Sequence, residues 1–131
     1  MKKIGILNQP LSAAIAGLGH TDTLVIADAG LPIPPETQRI DLALTRGIPS
    51  FLDTLRAVLT EMQVEQATVA EELAQANPQV YEALKALLAN VPVRLVPHAT
   101  FKELTRSARA VVRTGECTPY ANIILTAGVV F

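Results

Sequence analysis

The side chains able to move protons or grip a small polar molecule are few in this sequence, and they stand where the chain changes direction. His20 follows Gly19, Asp28 precedes Ala29-Gly30, His98 follows Pro97, and Tyr120-Ala121-Asn122 closes a turn-rich stretch. Imidazole has an ordinary pKa of ~6.5, so a histidine both gives and takes protons near neutrality. Carboxylate, amide and phenol groups orient hydroxyls. Gathered in one pocket, these groups would hydrogen-bond a small polyhydroxyl ligand. Each also has a plainer role. His20 is suited to meet the last carbonyls of a helix, Asp28 to hold the Ala29-Gly30 bend, His98 to a loop, and Tyr120-Ala121-Asn122 to the start of a strand. Residue types alone leave His20 evenly balanced between the two roles.

Other chemistries find little support. Gly17-x-Gly19-x-x-Asp22 approaches a dinucleotide fingerprint, but it lacks the third glycine and ends a helix instead of following a strand. No phosphate-binding loop is present, so no nucleotide cofactor is expected, and no cofactor of another kind is implied. Histidines and cysteine show no HxxxH or CxxC spacing, so no metal site is expected. Cys117, in Gly115-Glu116-Cys117-Thr118-Pro119, reads as a small packed thiol in a turn.

The elements that must position these residues alternate between short apolar runs and amphipathic stretches. Leu11, Ala14, Ile15 and Leu18 predict a helix over residues 9 to 18, stopped by Gly17 and Gly19. Strands are predicted at 23 to 27, 39 to 45, 64 to 70, 93 to 96, 109 to 113 and 122 to 127. Three prolines make 31 to 35 an extended loop. Ser50 with Asp53 caps a helix whose stripe is Phe51, Leu52, Leu55, Val58, Leu59 and Met62. A short helix is predicted at 71 to 76. Asn77-Pro78 starts another, with Tyr81, Leu84, Leu87 and Leu88 facing inward, and Thr100 with Glu103 caps a short helix after His98. The pattern predicts a single α/β layered domain over residues 1 to 131, a largely parallel sheet flanked by helices, with its site beyond strand C-termini, where Asp28 and His98 fall.

Composition narrows the partners. Half of the 131 residues are apolar and 18% are charged, which excludes a disordered chain. Such a length buries roughly two thirds of its unfolded surface, enough for a core without disulfide or metal staples. Eleven basic against twelve acidic residues give a net charge of −1, without the basic footprint of a nucleic-acid binder. Lys2-Lys3 and the following apolar residues imitate a signal peptide until Asn8-Gln9-Pro10 interrupts them. No run approaches the ~18 apolar residues of a membrane span, and the single cysteine fits a reducing compartment; a soluble, cytoplasmic protein is expected.

Leu18-Gly19-His20-Thr21-Asp22-Thr23-Leu24-Val25-Ile26-Ala27-Asp28-Ala29-Gly30-Leu31-Pro32-Ile33-Pro34 resembles the signature of the D-ribose pyranase family. So do Arg39-Ile40-Asp41-Leu42-Ala43, Gly47-Ile48-Pro49-Ser50-Phe51 and the tail from Arg113 to Leu125, so the resemblance spans essentially the whole chain. Related fucose mutarotases usually carry Asp-Ala-Asn where this chain has Asp28-Ala29-Gly30, which favours ribose over fucose. The resemblance implies a cofactor-free isomerase that interconverts pyranose and furanose rings of D-ribose and supplies furanose to ribokinase. By the same carry-over, His20 is the proton donor, while Asp28, His98, Tyr120, Asn122 and the Ala121 backbone hold the sugar, with Lys102 an additional contact. Ala99 stands after His98 where relatives commonly have an acidic residue. The alternatives are a fucose-type mutarotase and a non-catalytic sugar-binding or transport accessory protein.

Assembly is expected as well. Gly128-Val129-Val130-Phe131 is an apolar terminus awkward in water, and the resemblance implies a homo-oligomer, a decamer of two stacked pentameric rings. If 23 to 27 is a strand, His20 and Asp28 lie at opposite ends of it, and the steps from Thr23 to Asp28 span roughly 17 Å at about 3.3 Å per residue. One chain cannot then bring both to one pentose, and a site shared between subunits is expected.

Overall fold

Thr23–Ala27 (β1) is buried at every position from Leu24 onward, because it lies inside a sheet covered on both faces. In the computed structural model, which describes residues 1–131, six strands form one sheet in the order β2-β5-β1-β6-β3-β4. The others are Gln38–Asp41 (β2), Val64–Ala70 (β3), Val93–Val96 (β4), Ala110–Arg113 (β5) and Ile123–Ala127 (β6). The β1–β5, β2–β5 and β3–β4 pairs are parallel, whereas β6 runs antiparallel to both β1 and β3. The sheet is therefore mostly parallel, as the alternation of elements predicted. The reversal of β6 matters for function: it brings the residues preceding Ile123 to the C-terminal end of β1.

Alternation along β1 divides the core. Leu24 and Ile26 belong to a cluster of 22 buried residues that includes Phe51, Leu55 and Leu84, while Val25 and Ala27 belong to a cluster of eight that includes Phe101 and Ile124. The first cluster is covered by Phe51–Leu59 (α2) and Pro78–Leu88 (α4), the second by His98–Leu104 (α5). Each fully buried Leu or Phe contributes about 1.5–3 kcal/mol relative to exposure, so both layers hold the sheet.

Boundaries moved where side chains compete with the ladder. The first helix, Gln9–Ala16 (α1), ends two residues earlier than predicted: the Gly17 N–H is shared between the Ala13 and Ala14 carbonyls, and the Leu18 N–H turns to Ile15, three residues back. β2 stops at Asp41, whose Oδ1 accepts the Ala43 N–H at 3.0 Å and turns the chain. Ser50 caps α2 through the Asp53 N–H (3.1 Å), but Asp53 spends its carboxylate on Arg56 (2.7 Å), so only half of the capping box forms. On α4, Val80 takes the buried position expected for Tyr81. Thr100 does not cap α5: the helix begins at His98 behind Pro97, and the carboxylate of Glu72, on the short helix Glu72–Ala76 (α3), accepts the His98 N–H at 2.9 Å.

Candidate active site

Asp28 is the first residue beyond β1 and Asn122 the last before β6, and the antiparallel pairing of these strands lays them side by side. They lock reciprocally. The Asp28 N–H donates to Asn122 Oδ1 at 2.8 Å, and Asn122 Nδ2 donates to Asp28 Oδ2 at 3.1 Å. Asp28 Oδ1 accepts the Gly30 N–H at 2.9 Å, so the turn role and the pocket role coexist in one carboxylate. Asn122 is 1% exposed, which fixes the amide in place, while Asp28 stays half-buried with lone pairs left for a ligand.

The loop is pinned from two further sides. The Ala29 N–H donates to the Glu116 carbonyl (2.8 Å), and its own carbonyl accepts from Arg113 Nε (3.1 Å) while Arg113 Nη1 grips Asp41. A cavity of about 630 Å³ opens over this floor, walled by Asp28, His98, Glu116, Cys117, Tyr120 and Asn122, among others. The His98 and Tyr120 rings meet edge to face with centroids 5.0 Å apart, and Phe101 stacks beside His98 at 6.3 Å. His98 Nδ1 is buried without a hydrogen-bond partner. Such an unmet group costs about 1–3 kcal/mol. Tyr120 adopts φ +59°, a left-handed conformation held by the turn that aims it inward.

Three contributors were not singled out from the sequence. Glu116 accepts the Phe51 N–H (3.0 Å) and the Thr118 hydroxyl (2.8 Å), and Asn77 Nδ2 donates to Thr118 Oγ1 (2.9 Å) and the Pro119 carbonyl (3.0 Å). These contacts tie the 115–120 turn to α2 and α4. Their signal is weak, because turn residues of these types are common and the contacts that tie the turn to the helices span 41 or more positions. Cys117 corrects the expectation of a packed thiol: it is exposed and lines the cavity. Ala121 is fully buried behind the wall, so only its backbone is available, and Lys102 lies on the exposed side of α5, away from the lining.

His20 lies at the opposite end of the strands, before β1. It sits in the turn between α1 and β1, exposed, with Nε2 2.9 Å from Glu65 Oε2 near the start of β3. It makes no hydrogen bond to the carbonyls of α1. Within one chain, Asp28, His98, Tyr120 and Asn122 therefore converge and His20 does not. Asp22 seals the His20 turn: its carboxylate accepts the Gly19 N–H (2.8 Å) and meets Arg109 Nε (3.0 Å). Those two contacts, the backbone one foremost, hold the Asp22 carboxyl below the usual carboxylate range. No three His, Cys, Asp or Glu side chains gather as a metal-ligand set.

The profile of the RbsD / FucU transport protein family matches residues 1–130. The chain belongs to this family. A D-ribose pyranase of Laribacter hongkongensis is 61% identical over 131 residues, covering all of both chains. A D-ribose pyranase of Geobacillus thermodenitrificans is 59% identical over 131 residues, covering all of this chain and 99% of that one. The structure of Bacillus subtilis RbsD complexed with D-ribose superposes with a TM-score of 0.97 at 49% identity, each chain covered completely. The RbsD / FucU fold is thus reproduced here, with a mostly parallel six-stranded sheet that carries Asp28 and Asn122 at the C-terminal end of β1, in its centre.

Proposed function

We propose that this chain is a D-ribose pyranase, catalysing exchange between the six- and five-membered rings of D-ribose. The observation that carries the reading is the Asp28–Asn122 lock at the floor of the cavity, in a chain that superposes at TM-score 0.97 on a ribose complex. Asp28 accepts hydrogen bonds from sugar hydroxyls on the lone pairs not used by Gly30 and Asn122. His98 and Tyr120 add ring edges and polar tips. The Ala121 backbone completes the cradle.

Ring exchange needs a proton removed from the anomeric hydroxyl and one delivered to the ring oxygen as the C1–O5 bond breaks. The open aldehyde then turns, the O4 hydroxyl adds to C1, its proton leaves, and the carbonyl oxygen becomes the new anomeric hydroxyl. No net proton, electron or atom is gained or lost. His20 serves as the donor, and positioned acid–base help of this kind supplies roughly 10²–10⁴-fold. Ring opening already proceeds in water, so this modest gain suffices without a Lewis acid or a covalent intermediate.

Because His20 and Asp28 lie at opposite ends of β1, the donor comes from a neighbouring subunit. Leu7, Leu44, Ile48, Val130 and Phe131 are exposed apolar side chains that an assembly would cover, and a decamer of two stacked pentamers accommodates a site at each interface. We place this assembly in the cytoplasm, where the furanose product feeds a ribose kinase. Saturation-transfer NMR on equilibrated D-ribose tests the reading: the protein should accelerate pyranose–furanose exchange, and a protein that binds ribose without accelerating it would be an accessory binder.

A further inference from the structure

We infer that Glu65 is a positioning residue for His20, holding the imidazole by Nε2 so that Nδ1 is the ring atom offered to substrate. The inference rests on the proposed ribose reaction and on the donor role given there to His20. Its observation is local: Glu65 Oε2 stands 2.9 Å from His20 Nε2, across 45 positions of sequence.

Three features of the backbone make that meeting a built one. The β3–β6 ladder pairs Val64 with Ala127 and Gln66 with Thr126, so β3 advances two residues while β6 advances one. Glu65 is the extra residue of a β-bulge, the device that re-aims a side chain at a sheet edge. Opposite it stands Gly128, where a Cβ would lie 3.2 Å from the Glu65 Cβ, so the absent side chain leaves Glu65 its place. The His20 turn is fastened to the same end of β6: the Thr21 N–H donates to the Ala127 carbonyl at 2.9 Å, with Thr21 in the left-handed region at φ +69°. The charged neighbours are accounted for. Asp22, in the turn itself, is engaged by the Gly19 N–H and by Arg109, which precedes β5, leaving Glu65 on β3 as the carboxylate paired with the imidazole.

A carboxylate on one ring nitrogen fixes which nitrogen carries the standing proton and which exchanges protons with substrate, and it restrains the ring plane. An exposed histidine without such a partner samples several rotamers, few of them productive. Glu65 itself touches no sugar under this arrangement, so its loss acts on turnover and not on affinity.

The experiment pairs Glu65→Gln, which keeps size, with Glu65→Ala, in the assembled protein. It reads ribose exchange as a function of ribose concentration and the His20 ring by proton–nitrogen NMR. Expected are a kcat lowered about tenfold, part of what positioned acid–base help supplies, with KM unchanged within about twofold. The downfield Nε2–H signal of the unaltered protein should vanish in Glu65→Ala. A kcat untouched in both variants, or a KM that rises while kcat holds, would overturn the positioning role while the ribose reading stands. Absence of exchange in the unaltered protein would instead overturn the ribose reading and this inference with it.

Discussion

Asn122→Asp changes one atom and places a second carboxylate against Asp28. In the native site Nδ2 donates to Asp28 Oδ2 at 3.1 Å and Oδ1 accepts the Asp28 N–H at 2.8 Å. The substitution keeps the acceptor and turns the donor into an oxygen. Two like charges at such a separation repel by about 5 kcal/mol at an effective dielectric constant of ~20. Taking up one proton is the cheaper escape: holding a carboxyl with an ordinary pKa of ~3.9 protonated at pH 7 costs about 4 kcal/mol. The shared proton raises the folded-state pKa of the pair, so the penalty is largest at high pH and shrinks by about 1.4 kcal/mol per unit as the pH falls towards 4. Asn122→Ala leaves the Asp28 N–H unpaired at a cost of about 1–3 kcal/mol, with no such dependence. Urea unfolding at pH 7 and pH 5.5, at fixed protein concentration, compares the three proteins. Equal destabilisation of Asn122→Asp at both pH values would refute the reciprocal lock.

Further outcomes are expected. Co-refolding inactive His20→Ala with inactive Asp28→Ala should restore part of the ribose exchange through interfaces holding both intact residues; no recovery in confirmed mixed assemblies would sink the shared site. Gly115→Ala should destabilise the protein by about 1–3 kcal/mol in urea, because its Cβ would run into the Thr45 and Ile48 backbones. The depressed Asp22 carboxyl contributes stability that is fully present above its unfolded pKa and is lost as the pH falls through the lower folded value. The stability difference between wild type and Asp22→Asn should therefore be full at pH 7 and fade below about pH 4, and a difference constant down to pH 2 would contradict it.

What the sequence made legible follows its local physics. The central strands were visible as apolar runs, since burial on both faces removes polar residues from Leu24–Ala27 and Ile123–Leu125, whereas β2, Gln38–Asp41, buries only Ile40 and was predicted four residues too long at its C-terminal end. Asp28 and His98 were placed at strand C-termini correctly, and the length of β1 sufficed to separate His20 from them. Strand direction was not legible: nothing in Ile123–Ala127 announces that it runs antiparallel, although that reversal alone brings Asn122 to Asp28. The start of α5 was missed because its cap comes from Glu72, 26 positions away, and not from a neighbouring side chain. Glu65 went unnoticed for the same reason, as its partner lies 45 positions off and its bulge leaves no local mark.

In the proposed reaction the Asp28 cavity and a His20 imidazole together exchange the rings of D-ribose. Saturation transfer between pyranose and furanose anomeric protons, at equal concentrations of wild type, His20→Ala and Asp28→Ala, tests it most directly. The expected result is exchange well above the buffer rate for wild type, loss of roughly 10²-fold or more for His20→Ala with ribose still bound, and loss of binding for Asp28→Ala. Exchange by His20→Ala at the wild-type rate, or faster exchange of fucose than of ribose by the unaltered protein, would contradict the account.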